Sequence, residues 1–264
     1  MAEFKLLAKP AKPGDLAAYV GLPYGASGPD FPLVVFLHGA GRKAGVFQAW
    51  GKLLRGKADV CLVDFPGHGL SPAVLPASLE AMTDAVDRMI RTHFAKRRIL
   101  LVGESFGGLV SISLGKGEAD SPVKAVIAAD PPLSTAKQWA VVNSFRNRFI
   151  REPENPFFFS FADEVFGITP TEVHERIYYP MLAGIGVPTM LVTGDLPMLP
   201  PRRLESVGCL LDPVDEFVID NLYPDKVMKR RIANSGHVML TNALPESLAL
   251  VEEMLPFVAR PQAD

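Results

Sequence analysis

The chain has 264 residues, 48% of them hydrophobic, and a formal net charge of −2. That length fits one large α/β domain or two small ones, and the apolar content is enough to bury a full core. A near-neutral balance gives no basis for binding nucleic acid or an anionic membrane surface, and Cys61 and Cys209, the only cysteines, are too few for a disulfide framework.

The N-terminus, Met1-Ala2-Glu3-Phe4-Lys5, lacks the long apolar segment of a secretion signal. No stretch approaches the ~20 apolar residues of a membrane helix, so a soluble, cytoplasmic protein is expected. The first thirty residues, with Pro10, Pro13, Pro23 and Pro29, read as a short antiparallel lead-in. Apolar runs follow at Pro32–Leu37, Asp59–Val63 (which contains Cys61 as a small buried hydrophobe), Arg98–Val102, Val123–Ala129, Pro188–Thr193 and Val227–Ile232. Helical patterns cover Val46–Leu54, Leu79–Phe94 and Gly108–Leu114, and an amphipathic helix closes the chain over Leu248–Val258. This alternation predicts an α/β fold with a mostly parallel sheet covered on both faces. The near-continuous hydrophobicity of the runs predicts strands buried on both sides.

One stretch breaks the rhythm. Residues 131–186 contain no convincing strand but carry Trp139, Phe145, Phe149, Phe157, Phe158, Phe159, Phe161 and Phe166. A structureless loop of that length is improbable in a compact domain, so the segment reads as a helical insertion into a core made of residues 1–130 and 187–264. Its aromatics either pack the insertion's own core or face a pocket.

The chemistry centres on Gly103-Glu104-Ser105-Phe106-Gly107, a G-x-S-x-G run between an apolar strand and a helix-compatible stretch. That context puts Ser105 on a sharp strand-to-helix elbow with its hydroxyl exposed at the sheet edge. A serine hydroxyl is a weak nucleophile until a base takes its proton. Among the five histidines, His237 sits in Asn234-Ser235-Gly236-His237-Val238 after the last strand, where a loop returns to the same edge. His93 and His174 read as structural or solvent-facing, and His38 and His68 as supports beside the site. The small-residue loop at Phe36-Leu37-His38-Gly39-Ala40-Gly41 offers backbone N–H groups, so the amides of Ala40 and Phe106 form a candidate oxyanion hole. Gly39, His38 and Trp139 are the candidate substrate-binding residues.

Together, the H-G at His38-Gly39, the run Asp64-Phe65-Pro66-Gly67-His68-Gly69-Leu70-Ser71, the elbow at Ser105 and the G-H at Gly236-His237 resemble the α/β-hydrolase superfamily across nearly the whole chain. The resemblance implies a central sheet of about eight strands, a cap between the sixth and seventh, and the chain order Ser, acid, His. Residues 131–186 correspond to that cap. The sequence departs from the family pattern at the acid. The usual G-x-x-D after the seventh strand is here Gly194-Asp195-Leu196-Pro197, with proline at the acid's place. Asp195, two residues early, is one substitute. Asp130, in Ala129-Asp130-Pro131-Pro132 after the sixth strand, is the other and stands slightly ahead. The haloalkane dehalogenase-like branch puts its acid there and has a Pro/Gly-rich turn after strand seven, which Gly194–Pro201 resembles.

These residues imply a serine hydrolase that cleaves a carboxylic ester, thioester or lactone of a small apolar or aromatic acyl substrate through a Ser-His-Asp triad. No metal or organic cofactor is expected. A serine nucleophile argues against dehalogenase or epoxide-hydrolase chemistry, which needs a carboxylate. Lyase, C–C bond hydrolase and cofactor-independent oxygenase chemistry remain open on the same serine and histidine, as does a degenerate small-molecule binding protein.

Overall fold

A computed structural model describes residues 4–25, 28, 30–135, 137, 139–198 and 207–259. Met1 to Glu3, Pro29 of the lead-in, and the later part of the proline-rich turn, from Leu199 onward, lie outside the described residues.

Eight strands form one sheet: β1 (Phe4–Leu6), β2 (Ala18–Gly21), β3 (Leu33–Leu37), β4 (Asp59–Val63), β5 (Ile99–Glu104), β6 (Val123–Ala129), β7 (Thr189–Gly194) and β8 (Met228–Ile232). Their spatial order is β1-β2-β4-β3-β5-β6-β7-β8. The lead-in pairs antiparallel, β1 with β2 and β2 with β4, and every later pair is parallel. The helices are α1 (Trp50–Leu53), α2 (Leu79–Phe94), α3 (Phe106–Leu114), α4 (Trp139–Arg151), α5 (Pro156–Phe166), α6 (Pro213–Leu222), α7 (Met239–Asn242) and α8 (Leu244–Val258). No helix among the described residues is long and apolar enough to cross a membrane.

Strand residues alternate between two cores. Leu33, Val35 and Leu37 of β3 join one cluster with α2, α3 and residues of α4 and α5, while Val34 and Phe36 join the other with α1, α7 and α8. Both faces of the central strands are therefore buried, as parallel pairing requires. β8 departs from the expectation of full burial. As the edge strand it exposes Lys229, Arg230 and Arg231, which pair with Asp220, Glu253 and Glu216. α6 has no counterpart among the expected helices. Its start is nevertheless written in the sequence, because Asp212 caps it, Pro213 opens it and Asp215 completes a capping box.

Between β6 and β7 the chain forms α4 and α5. Asn155 caps α5 by accepting from the Phe158 amide at 3.0 Å, and Pro156 opens it. The phenylalanines pack on one another: Phe145 meets Phe158 and Phe166 at ring separations of 5.3 and 5.0 Å, and Phe149 meets Phe158 at 5.1 Å. They do not form a separate core. Phe161 meets Phe106 of α3 at 5.0 Å, and Phe106 meets Phe65 at 4.9 Å, so the aromatic cluster runs unbroken into the sheet's own core. Phe161→Ala is accordingly expected to destabilise the whole fold by about 3–5 kcal/mol, read as a lowered urea midpoint in a single transition. A separate early transition confined to residues 131–186 would contradict a shared core.

Candidate active site

β5 and β6 pair Glu104 opposite Ala129, so the next residues, Ser105 and Asp130, leave the sheet side by side. The Ser105 amide donates to the Ala129 carbonyl at 2.8 Å, and the Asp130 amide donates to the Val192 carbonyl at 2.7 Å. Ser105 has φ 58° and ψ −122° and directly precedes α3. The helix thus begins at Phe106, two residues earlier than its apolar pattern suggests. Asp130 (φ 49°) and Asn234 (φ 54°) are the other non-glycine residues with positive φ among those described. All three mark the turns that converge at this edge, and such backbone persists only where the surroundings over-determine it.

The elbow leaves no room for side chains next to it. A Cβ on Gly107 would lie 2.2 Å from the Leu37 carbonyl oxygen, and one on Gly39 would lie 3.1 Å from the Ser105 Cβ. The loop after β3 is thereby packed directly against the serine.

The structure brings Asp130, and not Asp195, to His237. The Asp130 carboxylate is fully buried and accepts three hydrogen bonds, from His237 Nδ1 at 2.6 Å and from the Leu210 and Leu211 amides at 2.7 and 2.9 Å. Asp195 is exposed and lines a separate cleft of about 380 Å³ with Leu196, Pro197, Leu210 and Leu211. No described contact joins it to His237. The His237 side chain is 17% exposed. Burial pulls its imidazole toward the neutral form, but the Asp130 hydrogen bond and the charges of Asp130 and Glu104 outweigh burial. Its pKa therefore stands above the ordinary value, with Arg42 opposing the rise.

Among the described residues, neither the Ala40 amide nor the Phe106 amide has a hydrogen-bond partner, so both are available to an incoming oxyanion. The loop carrying Ala40 is held by the run that begins at Asp64, with His68 in the supporting place expected of it. Asp64 accepts from the Ala44 amide at 2.7 Å, and His68 Nε2 accepts from the Gly41 amide at 3.2 Å. His68 in turn packs against Phe157 and Phe161.

One expected substrate contact needs correction. His38 is fully buried; its Nδ1 donates to the Gly39 carbonyl at 2.8 Å and its Nε2 accepts from the Phe65 amide at 3.3 Å. Burial pushes that imidazole down to about 3, so His38 is a neutral strut that shapes the loop and does not face substrate. Trp139 is 60% exposed at the start of α4, and no described contact joins it to Ser105 or His237. Two neighbours escape the sequence reading: Glu104, buried beside the serine, and Arg42, which pairs with it. The signal is a carboxylate at the end of an otherwise apolar strand, which must find a partner. Among the described residues, no group of three or more His, Cys, Asp or Glu side chains is placed to hold a metal ion.

A G-x-S-x-G turn after the fifth strand of a mostly parallel sheet, with Asp130 after the sixth and His237 after the eighth, is the arrangement of the α/β-hydrolase class. Residues 34–249 match the alpha/beta hydrolase family, and the chain belongs to it. A pimeloyl-[acyl-carrier protein] methyl ester esterase of Chromobacterium violaceum is 34% identical over 113 residues, 42% of this chain and 41% of that protein. A proline iminopeptidase, PfmaB, of Pestalotiopsis fici is 28% identical over 171 residues, 61% of this chain and 58% of that protein. The match thus spans about half the length of these curated relatives. Among solved structures, an esterase of Thermogutta terrifontis superposes with a TM-score of 0.66 at 17% identity, covering 97% of this chain and 99% of that one. The thioesterase domain of the curacin biosynthetic pathway superposes with a TM-score of 0.62 at 19% identity, covering 95% and 99%.

Proposed function

We propose that this protein is a serine hydrolase of carboxylic esters that works through an acyl-enzyme. Ser105 is the nucleophile, His237 the general base and Asp130 the acid that orients it. The observation that carries the reading is the 2.6 Å Asp130–His237 hydrogen bond beside the strained Ser105 backbone. With Nδ1 donating to Asp130, Nε2 is the nitrogen left to take the serine proton. Ser105 Oγ attacks the ester carbonyl carbon while that proton passes to Nε2. The amides of Ala40 and Phe106 donate to the resulting oxyanion, and the imidazolium then gives its proton to the departing alkoxide. Water, deprotonated by His237, releases the carboxylic acid by the reverse sequence.

The relative named for methyl ester cleavage, 34% identical over 113 residues, supports this reading over lyase or oxygenase chemistry on the same residues. In our reading α4 and α5 form a cap over the site. Phe157 and Phe161 of that cap rest on His68, and the Arg148 guanidinium comes within 3.5 Å of where a Gly41 Cβ would stand. Most of the cap's phenylalanines pack on one another, so their number does not argue for an aromatic acyl group, and a small apolar acyl ester is the proposed substrate class. The test is a panel of short p-nitrophenyl esters together with a fluorophosphonate probe followed by intact mass. Turnover and a single adduct mapped to Ser105 are expected. No turnover and no adduct would overturn the reading.

A further inference from the structure

Glu104 occupies the variable position just before the nucleophile, yet it is only 1% exposed. A buried carboxylate is tolerated where it is paired and hydrogen-bonded, and each oxygen of Glu104 has its own partner. Its Oε1 receives the Arg42 guanidinium, two residues beyond the oxyanion donor Ala40. Its Oε2 accepts the Leu240 amide at 3.1 Å, three residues beyond His237. The Leu240 carbonyl is gripped as well, accepting the indole N–H of the fully buried Trp50 at 2.9 Å. One carboxylate therefore joins the loop that carries the oxyanion donor to α7, the helix that directly follows the loop carrying the base.

We propose that Glu104 is a positioning residue of this site: through Arg42 and Leu240 it locks the oxyanion loop and the histidine loop to the end of β5, and its negative charge stabilises the imidazolium formed on His237. This rests on reading Ser105 and His237 as nucleophile and base. The charged groups that face His237 are Asp130 from the end of β6, Glu104 from β5 and Arg42 from the loop after β3. Asp130 and Glu104 favour the imidazolium, and Arg42 opposes it less than Glu104 favours it. Burial raises the Glu104 carboxyl above the ordinary range, while Arg42, His237 and the Leu240 amide act to keep it ionised. Arg42 is thus needed to keep the Glu104 charge in place, and Glu104 to turn that charge on the base.

The test is a histidine 13Cε1 NMR titration of the full-length wild type, Glu104→Gln and Arg42→Met/Glu104→Gln, with the His237 signal assigned from His237→Gln. The wild-type His237 midpoint is expected above 6.5. Glu104→Gln should lower it by about 0.5 to 1 in pH, and the double variant should lower it by less, because the opposing Arg42 charge is gone too. On p-nitrophenyl acetate the acid limb of kcat/KM should follow the same order, with kcat reduced about tenfold and KM within about twofold. A His237 midpoint unchanged in Glu104→Gln, with lost activity tracking a lowered Tm alone, would overturn the proposal. Should Glu104→Gln not fold, the double variant decides: a midpoint at or above the wild type overturns it. The titration reads the resting protein, so absent ester turnover would sink the hydrolase reading and leave this result standing.

Discussion

Ser105→Ala is expected to reduce kcat for p-nitrophenyl butyrate by about 10⁶-fold and to abolish the fluorophosphonate adduct, with the Tm held near that of the wild type. The loss is large because the hydroxyl is the only group that forms the acyl-enzyme, and histidine and acid act solely through it. What survives is acceleration by the Ala40 and Phe106 amides and by substrate positioning, about 10³-fold over water. The Ser105 backbone, at φ 58°, has a second consequence. Alanine must hold the same strained turn, so the variant should be no more stable than the wild type. A loss of only a few-fold would mean that Ser105 is not the nucleophile.

Asp130→Asn is expected to cost about 10⁴-fold in kcat, and Asp195→Asn less than twofold. The local hydrogen bonds explain why an isosteric change is so damaging. The Leu210 amide shares Oδ2 with His237, while the Leu211 amide takes Oδ1, so asparagine, with one carbonyl oxygen, turns an NH₂ toward a donor N–H in either orientation. With the NH₂ at the Oδ2 position, His237 must accept at Nδ1 and carry its proton on Nε2, the nitrogen that should receive the serine's. With it at the Oδ1 position the Leu211 amide loses its acceptor, and in both cases the charge that stabilises the imidazolium is gone. Asp195 has no such constraint, being exposed in its own cleft. Equal losses in the two variants, or a larger loss in Asp195→Asn, would refute the assignment of the acid.

Much of this site was legible in the sequence because its parts are local. A G-x-S-x-G between an apolar strand and a helix specifies its own geometry, and the strand–helix alternation specifies the sheet. The acid was not legible, since Asp130 and Asp195 both end parallel strands and both precede proline-rich turns. Contacts from far along the chain distinguish them: the Leu210 and Leu211 amides, about eighty residues from Asp130, and His237, 107 residues from it. The Glu104–Arg42 pair escaped for the same reason, as it joins residues 62 positions apart. β8 misleads because Val227–Ile232 reads as apolar although its middle is Lys-Arg-Arg, which only an edge strand can place in solvent.

The aromatic continuity between α5 and α3 limits how a substrate reaches the serine. Swinging α5 off the sheet as a rigid door would bring Phe106, Phe158 and Phe161 into water together, each at most 2% exposed now. At about 1.5–3 kcal/mol per side chain, the open door would be occupied by about one molecule in a thousand or fewer. On the proposed reading, substrate reaches the serine past the rim that carries the partly buried Phe157 and Arg148, and not by unzipping the phenylalanines beneath them. Enlarging the range of accepted esters is then a matter of trimming that rim, and loosening the hinge of the insertion would cost stability before it widened access.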